Sequence, residues 1–131
     1  MVVFVDTSAF LSLFDEDDGH HASAVATWLR LLQERTELCS TDYVRLETWS
    51  LLQARFGLEA VRTFDLAYLP VIEWRHVSEV QFAAAKTLVV TTRSRRLSLV
   101  DAASFTVMRD EAITAAFAYD RHFREHGFTV V

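Results

Sequence analysis

The sequence predicts an α/β fold built on a parallel sheet with helices on its faces, and three observations carry that prediction. Val2-Val3-Phe4-Val5 is an unbroken β-branched and aromatic run, suited to a strand covered on both faces. Apolar strand patterns and amphipathic helix patterns then alternate along the chain, which is the signature of right-handed β-α-β crossovers. Finally, the opening arrangement, an apolar strand ending at a carboxylate before a short helix, returns near the C-terminus with residues 113–119 and Asp120.

Composition limits the possibilities. A chain of 131 residues with 51% hydrophobic residues, three glycines and one proline fits a single domain over residues 1–131 with a real core and short connections. The lone Cys39 has no partner for a disulfide or a zinc site and reads as a buried structural thiol, which suits a reducing cytoplasm. No apolar run approaches the length of a membrane span and no basic leader precedes Val2, so a soluble, non-exported chain is expected. The net charge of -5 argues against general nucleic-acid binding. The basic residues are nearly all arginine, however, with Lys86 the only lysine, so a local phosphate-binding patch stays open.

In chain order, Val2–Val5 delivers Asp6 to the carboxyl edge of the sheet, where ligands of such folds sit. Thr7–Phe14 reads as a short helix capped by Asp6 or Thr7 and closed by the acidic loop 15–19. That loop is most simply solvated; an extra metal site with His20 and His21 is the sharper alternative. Residues 21–35 predict a second helix with Val25, Trp28, Leu29 and Leu32 on one stripe, and residues 38–41 a second strand. Asp42–Phe56 is a third helix, ended by Gly57. Val44, Thr48, Leu51 and Arg55 share one of its faces, and Glu47 falls among them. A carboxylate within an inward stripe calls for a partner, either an arginine at the stripe edge or a metal.

Residues 58–66 predict a fourth helix, residues 70–74 a strand that begins at Pro70, and residues 77–90 a helix through Val80, Ala83, Ala84 and Thr87. Nothing in this middle third carries chemistry, and Glu73 and Glu79 read as solvated. The arginine-rich loop 91–96 precedes a helix that begins at Ser98-Leu99-Val100-Asp101. Ser98 and Asp101 have capping-box spacing, yet Asp101, Phe105 and Met108 follow i, i+4, i+7, so Asp101 also tops an apolar stripe. Residues 113–119 are the strand that ends at Asp120, residues 121–126 a short helix stopped by Gly127, and residues 128–131 the last strand.

Two strand ends, Asp6 and Asp120, and two helix positions, Glu47 and Asp101, are thus placed to converge at one edge of the sheet. Clustered carboxylates raise one another's pKa values unless cations intervene. Hard dications, Mg²⁺ or Mn²⁺, are the economical partners of an oxygen-only set. Carboxylate-held metals suit phosphodiester hydrolysis, because they acidify a bound water and stabilise charge on the phosphoryl and leaving oxygens. Asp6, Glu47 and Asp101 are expected to form the main metal shell, with Asp120 completing it or orienting the water. Thr7 and Ser8 open a helix, so their hydroxyls either cap it or support a phosphate or a metal-bound water.

Four segments also carry a family resemblance: Phe4-Val5-Asp6-Thr7-Ser8-Ala9, Val44-Arg45-Leu46-Glu47-Thr48, Leu97-Ser98-Leu99-Val100-Asp101-Ala102-Ala103-Ser104-Phe105, and Ala118-Tyr119-Asp120-Arg121-His122-Phe123 with Gly127-Phe128. In this order, over nearly the whole chain, they resemble the PIN-domain ribonucleases, specifically the VapC toxins of bacterial toxin-antitoxin modules. The resemblance implies a three-layer α/β/α sandwich with a central parallel sheet, a homodimer, Mg²⁺- or Mn²⁺-dependent RNA cleavage, and inhibition by a VapB-type antitoxin. It places the family's acidic positions on Asp6, Glu47, Asp101 and Asp120 and the supporting hydroxyl on Thr7 or Ser8. No acidic position is missing, which disfavours the rival reading, a catalytically silent RNA-binding or antitoxin-binding module on the same fold. It also gives the arginines a use. Arg93, Arg95 and Arg96 before Asp101, with Arg121 and Arg124 after Asp120, are expected to hold RNA phosphates, a merely solvated loop being the plain alternative. A receiver-like phosphotransfer domain is disfavoured, because the Asp6-Thr7-Ser8 run lacks a second nearby acid and Lys86 falls inside a predicted helix.

Overall fold

Five short strands build the sheet of the computed structural model, which describes residues 1–131: β1 Val2–Val5, β2 Glu37–Thr41, β3 Glu73–Arg75, β4 Ala115–Phe117 and β5 Thr129–Val130. They run all parallel in the order β3-β2-β1-β4-β5. Seven helices cover them: α1 Thr7–Phe14, α2 His21–Gln33, α3 Asp42–Phe56, α4 Leu58–Thr63, α5 Glu79–Thr92, α6 Leu99–Asp110 and α7 His122–Glu125. The architecture is an α/β/α sandwich, as the alternating pattern requires.

β1 is central because it is apolar on both faces, with Val3, Phe4 and Val5 fully buried. Phe4 stands opposite Cys39 of β2 on one side and Ala116 of β4 on the other. The chain winds from β1 toward β2 and β3, then returns to lay β4 and β5 on the other side of β1. The β1/β4 seam is therefore the topological switch point, where a crevice opens at the carboxyl ends of the strands.

Aromatic side chains fill the core in two groups. Phe105 meets Phe123 edge-on at 4.9 Å and Phe128 at 5.3 Å, while Phe10 meets Phe64 edge-on at 5.2 Å, with Tyr68 and Trp74 beyond it. Ala85, Ala102 and Ala103 are fully buried and let α5 and α6 pack closely. Cys39 is buried as expected, and burial pushes its thiol up to about 12, which leaves it inert.

The structure corrects several expected elements. Residues 58–66 do not form one helix: α4 ends at Thr63, a wide π turn spans Phe64–Tyr68, and a 3-10 turn spans Leu69–Val71. Pro70 lies in that last turn rather than heading a strand, because it has no N–H to continue the ladder of an α-helix, and β3 starts only at Glu73. On α2 the buried stripe is Ala24, Trp28 and Leu31, whereas Leu29 is 53% exposed and Leu32 is also exposed. α5 starts at Glu79 behind the Ser78/Gln81 capping box, and its expected Val80 is 80% exposed while Ala85 is the buried residue, because the face turned to Ala102, Ala103 and Val107 of α6 runs through Ala85. Thr91 and Thr92 still belong to α5, so the arginine loop begins at Arg93, whose left-handed backbone (φ 53) ends the helix.

Phe105→Ala is expected to lower the unfolding free energy by about 3–5 kcal/mol, because the ring is fully buried in the Phe123 and Phe128 group. Leu29→Ala, on the exposed side of α2, is expected to change it by about 0.5 kcal/mol or less. Urea unfolding of both variants checks the contrast.

Candidate active site

Asp6 follows the last residue of β1 and is the N-cap of α1, with extended backbone (φ -94, ψ 159). Its Oδ2 accepts from the Ser8 N–H at 3.1 Å and from the Ser8 hydroxyl at 2.6 Å, and its own N–H donates to the Phe117 carbonyl at 3.0 Å. The Ser8 hydroxyl in turn accepts from the Tyr119 N–H at 2.9 Å, so one side chain ties the ends of β1 and β4 together. Asp6 is only 3% exposed, and its Oδ1 has no hydrogen-bond partner. Burial raises its carboxyl to about 6, against the pull of the Ser8 bonds and with the help of the Glu47 and Asp120 charges.

Asp101 stands in the first turn of α6. The capping expectation is half met: the Ser98 hydroxyl accepts from the Asp101 backbone N–H at 3.0 Å, and the Asp101 carboxylate turns to the crevice instead of back to Ser98. The side chain is buried, and its carboxyl rises to about 8. Desolvation is the main cause, followed by the charges of Asp6 and Asp120 and a hydrogen bond to Asp120 that the neutral form makes. Asp120, just beyond β4 and half-buried, accepts the His122 N–H on Oδ1 at 2.9 Å. Glu47, half-buried on α3, makes no salt bridge, so the arginine partner considered for it is not there. The face of α3 that buries Val44, Thr48 and Leu52 seats it, while the expected Arg55 is exposed.

All four acids line one cleft of about 260 Å³, together with Thr7, Ser8 and Arg96. Thr7 is buried and its hydroxyl accepts from that of Thr48 at 3.1 Å, a contact that fastens α3 to α1 beneath the acids. The predicted hydroxyls thus act on the frame, Ser8 most directly. A larger cavity of about 490 Å³ adjoins through Asp120 and holds Arg121 and Arg124. Chemistry, not size, singles out the smaller cleft, since only there do the four carboxylates converge. Arg93 and Arg95 are exposed and line neither space. Arg121 reaches Glu125 at 3.5 Å across an exposed surface, a pair of little energetic weight.

His122 is the site residue that sequence reasoning missed. It opens α7 and is 8% exposed, with Nδ1 2.9 Å from Asp120 Oδ1 and 3.7 Å from Asp101 Oδ2. The short approach lies off the hydrogen-bonding direction of the ring, so Nδ1 remains without a hydrogen-bond partner. Its position two residues after Asp120 was the available signal. The acidic loop shows no such convergence: Asp15 and Asp18 accept the Asp17 and His20 N–H groups in local turns, and His21 turns to the Ser12 carbonyl.

The donor set fits a dication. Buried carboxylates with raised pKa values and an orphaned Asp6 Oδ1 are what a fold leaves where a cation is to complete the charge balance. Asp101, Asp120 and His122 bring their ligand atoms within 4.8 Å of one another.

The sheet order and this acidic crevice define the class, and residues 3–129 match the PIN domain: the chain belongs to the PIN-domain family. Among its relatives it is 33% identical over 131 residues to the 23S rRNA-specific endonuclease VapC20 of Mycobacterium tuberculosis, covering 99% of this chain and 98% of that one. The crystal structure of Mycobacterium tuberculosis VapC20, described as a Sarcin-Ricin loop cleaving toxin, superposes with a TM-score of 0.84 at 32% identity over 98% of this chain and 97% of that one. VapBC2 from Rickettsia felis, solved bound to a promoter DNA fragment, shares the fold at TM-score 0.74 and 12% identity, over 100% of this chain and 98% of that one. FitAcB from Neisseria gonorrhoeae does so at 0.71 and 12%, over 99% and 96%. No helix is long and apolar enough to cross a membrane.

The raised carboxyls fix a pH dependence. In the native state Asp6 and Asp101 keep protons that an unfolded carboxyl, at 3.8, has released, so metal-free stability falls as pH rises from near 3.8 through about 6 and on to about 8. A dication bound among these acids would take the place of those protons. The rise in melting temperature on adding Mn²⁺ is therefore expected to be larger at pH 8 than at pH 6, and scanning calorimetry at both pH values checks it.

Proposed function

We propose that this chain is a metal-dependent endoribonuclease, the toxin half of a toxin-antitoxin pair, held silent by a VapB-type antitoxin. The observation that carries the reading is the meeting of Asp6, Glu47, Asp101 and Asp120 in one cleft at the switch point, with Asp6 Oδ1 buried and unpartnered. Asp6, Asp101 and Asp120 would hold Mg²⁺ or Mn²⁺, with Glu47 at the open side of the shell. When bound, such a cation supplies an activated water and neutralises charge on the phosphate under attack.

The remaining work falls to the chain's own residues. Ser8 fixes the Asp6 carboxylate through two hydrogen bonds and anchors it to β4, so the acid is aimed before substrate arrives. Arg96, in the same cleft, offers a forked guanidinium to a backbone phosphate, and Arg121 and Arg124 extend the positive surface into the adjoining cavity. With a net charge of -5 on the whole chain, RNA affinity rests on this patch and falls steeply with salt. Ribosomal RNA is the favoured substrate class, on the strength of the relative named for cleaving 23S rRNA. The same reading takes residues 1–131 as a single PIN domain, acting as a homodimer in the cytoplasm.

The test is cleavage of ribosomal RNA by antitoxin-free protein with Mg²⁺ or Mn²⁺. Asp6→Asn and Asp101→Asn are each expected to slow cleavage by at least about a hundredfold, the effect of losing several kcal/mol of charge stabilisation. Cleavage that survives both substitutions would assign the activity to a contaminating nuclease and leave the chain a silent binding module.

A further inference from the structure

His122 is buried between two carboxylates and makes no hydrogen bond through Nδ1, although an acceptor oxygen lies 2.9 Å away. An ordinary histidine–aspartate ion pair would place the ring N–H on the line to that oxygen. Here the lone-pair direction is not spent on Asp120, and the nitrogen is screened from water, the residue being 8% exposed. A buried nitrogen left so is costly unless something completes it.

The spacing of the donors says what completes it. Around one octahedral cation with bonds of about 2.1 Å, adjacent donors stand roughly 3 Å apart and opposite donors a little over 4 Å. His122 Nδ1 lies 2.9 Å from Asp120 Oδ1 and 3.7 Å from Asp101 Oδ2, and ligand atoms of all three residues fall within 4.8 Å of one another. The local chain enforces the arrangement, because the His122 N–H is bonded to Asp120 Oδ1 at 2.9 Å and folds the two side chains toward the same point. Asp101 arrives from the first turn of α6, so the group is fixed from two separate elements.

We propose that His122 Nδ1 is a direct ligand of the cation held by Asp101 and Asp120, giving the centre a mixed nitrogen and oxygen donor set that takes Mn²⁺ in preference to Mg²⁺. Imidazole suits transition metals, whereas Mg²⁺ prefers oxygen donors and retained waters, so one nitrogen ligand shifts the selectivity. This assignment rests on the metal-dependent reading above and replaces the oxygen-only set that the sequence suggested.

Pulsed EPR of Mn²⁺ bound to the tag-free full-length protein tests it. The expected result is modulation from a directly coordinated imidazole ¹⁴N, which changes to the ¹⁵N pattern in protein labelled with ¹⁵N-histidine and disappears in His122→Gln. Calorimetric titration should show Mn²⁺ binding weakened by about tenfold or more in that variant, and Mg²⁺ binding weakened much less. Bound Mn²⁺ without imidazole coupling in the unsubstituted protein overturns the assignment by itself, whether or not the variant folds. Coupling that persists in folded His122→Gln does the same. Absence of any dication binding overturns both this assignment and the metal-dependent function, so the two failures are distinct.

Discussion

The structure depends on how Asp6 is held at the β1/β4 seam. Its backbone N–H continues the β1/β4 ladder through the Phe117 carbonyl, its Oδ2 is fixed by Ser8, and Ser8 bonds back to Tyr119 just beyond β4. One carboxylate thus belongs at once to a strand end, a helix cap and a strand-to-strand brace. The arrangement spends only one oxygen on the fold. Oδ1 is left buried and without a partner, in a residue that lines the crevice where the other acids arrive.

That crevice opposes folding as much as it depends on it. Asp6 and Asp101 are buried, and desolvation, with a smaller push from neighbouring acids (Glu47 and Asp120 on Asp6, Asp6 and Asp120 on Asp101), holds both carboxyls well above the ordinary range. The scaffold offsets this with apolar material around the seam: β1 is buried on both faces, and the Phe105, Phe123 and Phe128 group packs close to the helix turns that present Asp101 and His122. Carboxyls displaced this far from their ordinary range and held by a well-packed frame are what functional sites commonly show.

Much of this was legible in the sequence, for identifiable reasons. Continuous apolar runs marked β1 and β4, and the acids that ended them fell where parallel sheets place ligands. Asp101 and Glu47 were visible because each intruded on an apolar helical stripe, and a charge on such a stripe needs an explanation. The losses have physical causes too. The exposed sides of α2 and α5 carry Leu29 and Val80, so a hydrophobic stripe read from spacing alone chose the wrong angle around the helix. Pro70 was compatible with a strand start until the π and 3-10 turns before β3 were known. His122 was hidden because its meaning lies in an Asp120 turn and an approach to Asp101 from a distant helix, and only the assembled fold supplies both.

The buried acids of the crevice cost stability as long as nothing balances their charge. Asp101→Asn removes one buried charge with almost no change of shape and leaves an amide able to donate to Asp120. Thermal unfolding of this variant without divalent metal, at a pH near 8 where the native Asp101 proton is being lost, measures that cost directly. Its melting temperature is expected to lie a few degrees above that of the unsubstituted protein, corresponding to about 1 kcal/mol or more, and to respond less to Mn²⁺. A lower melting temperature in the metal-free state would show instead that the Asp101 carboxylate stabilises the fold on its own and is buried at no cost.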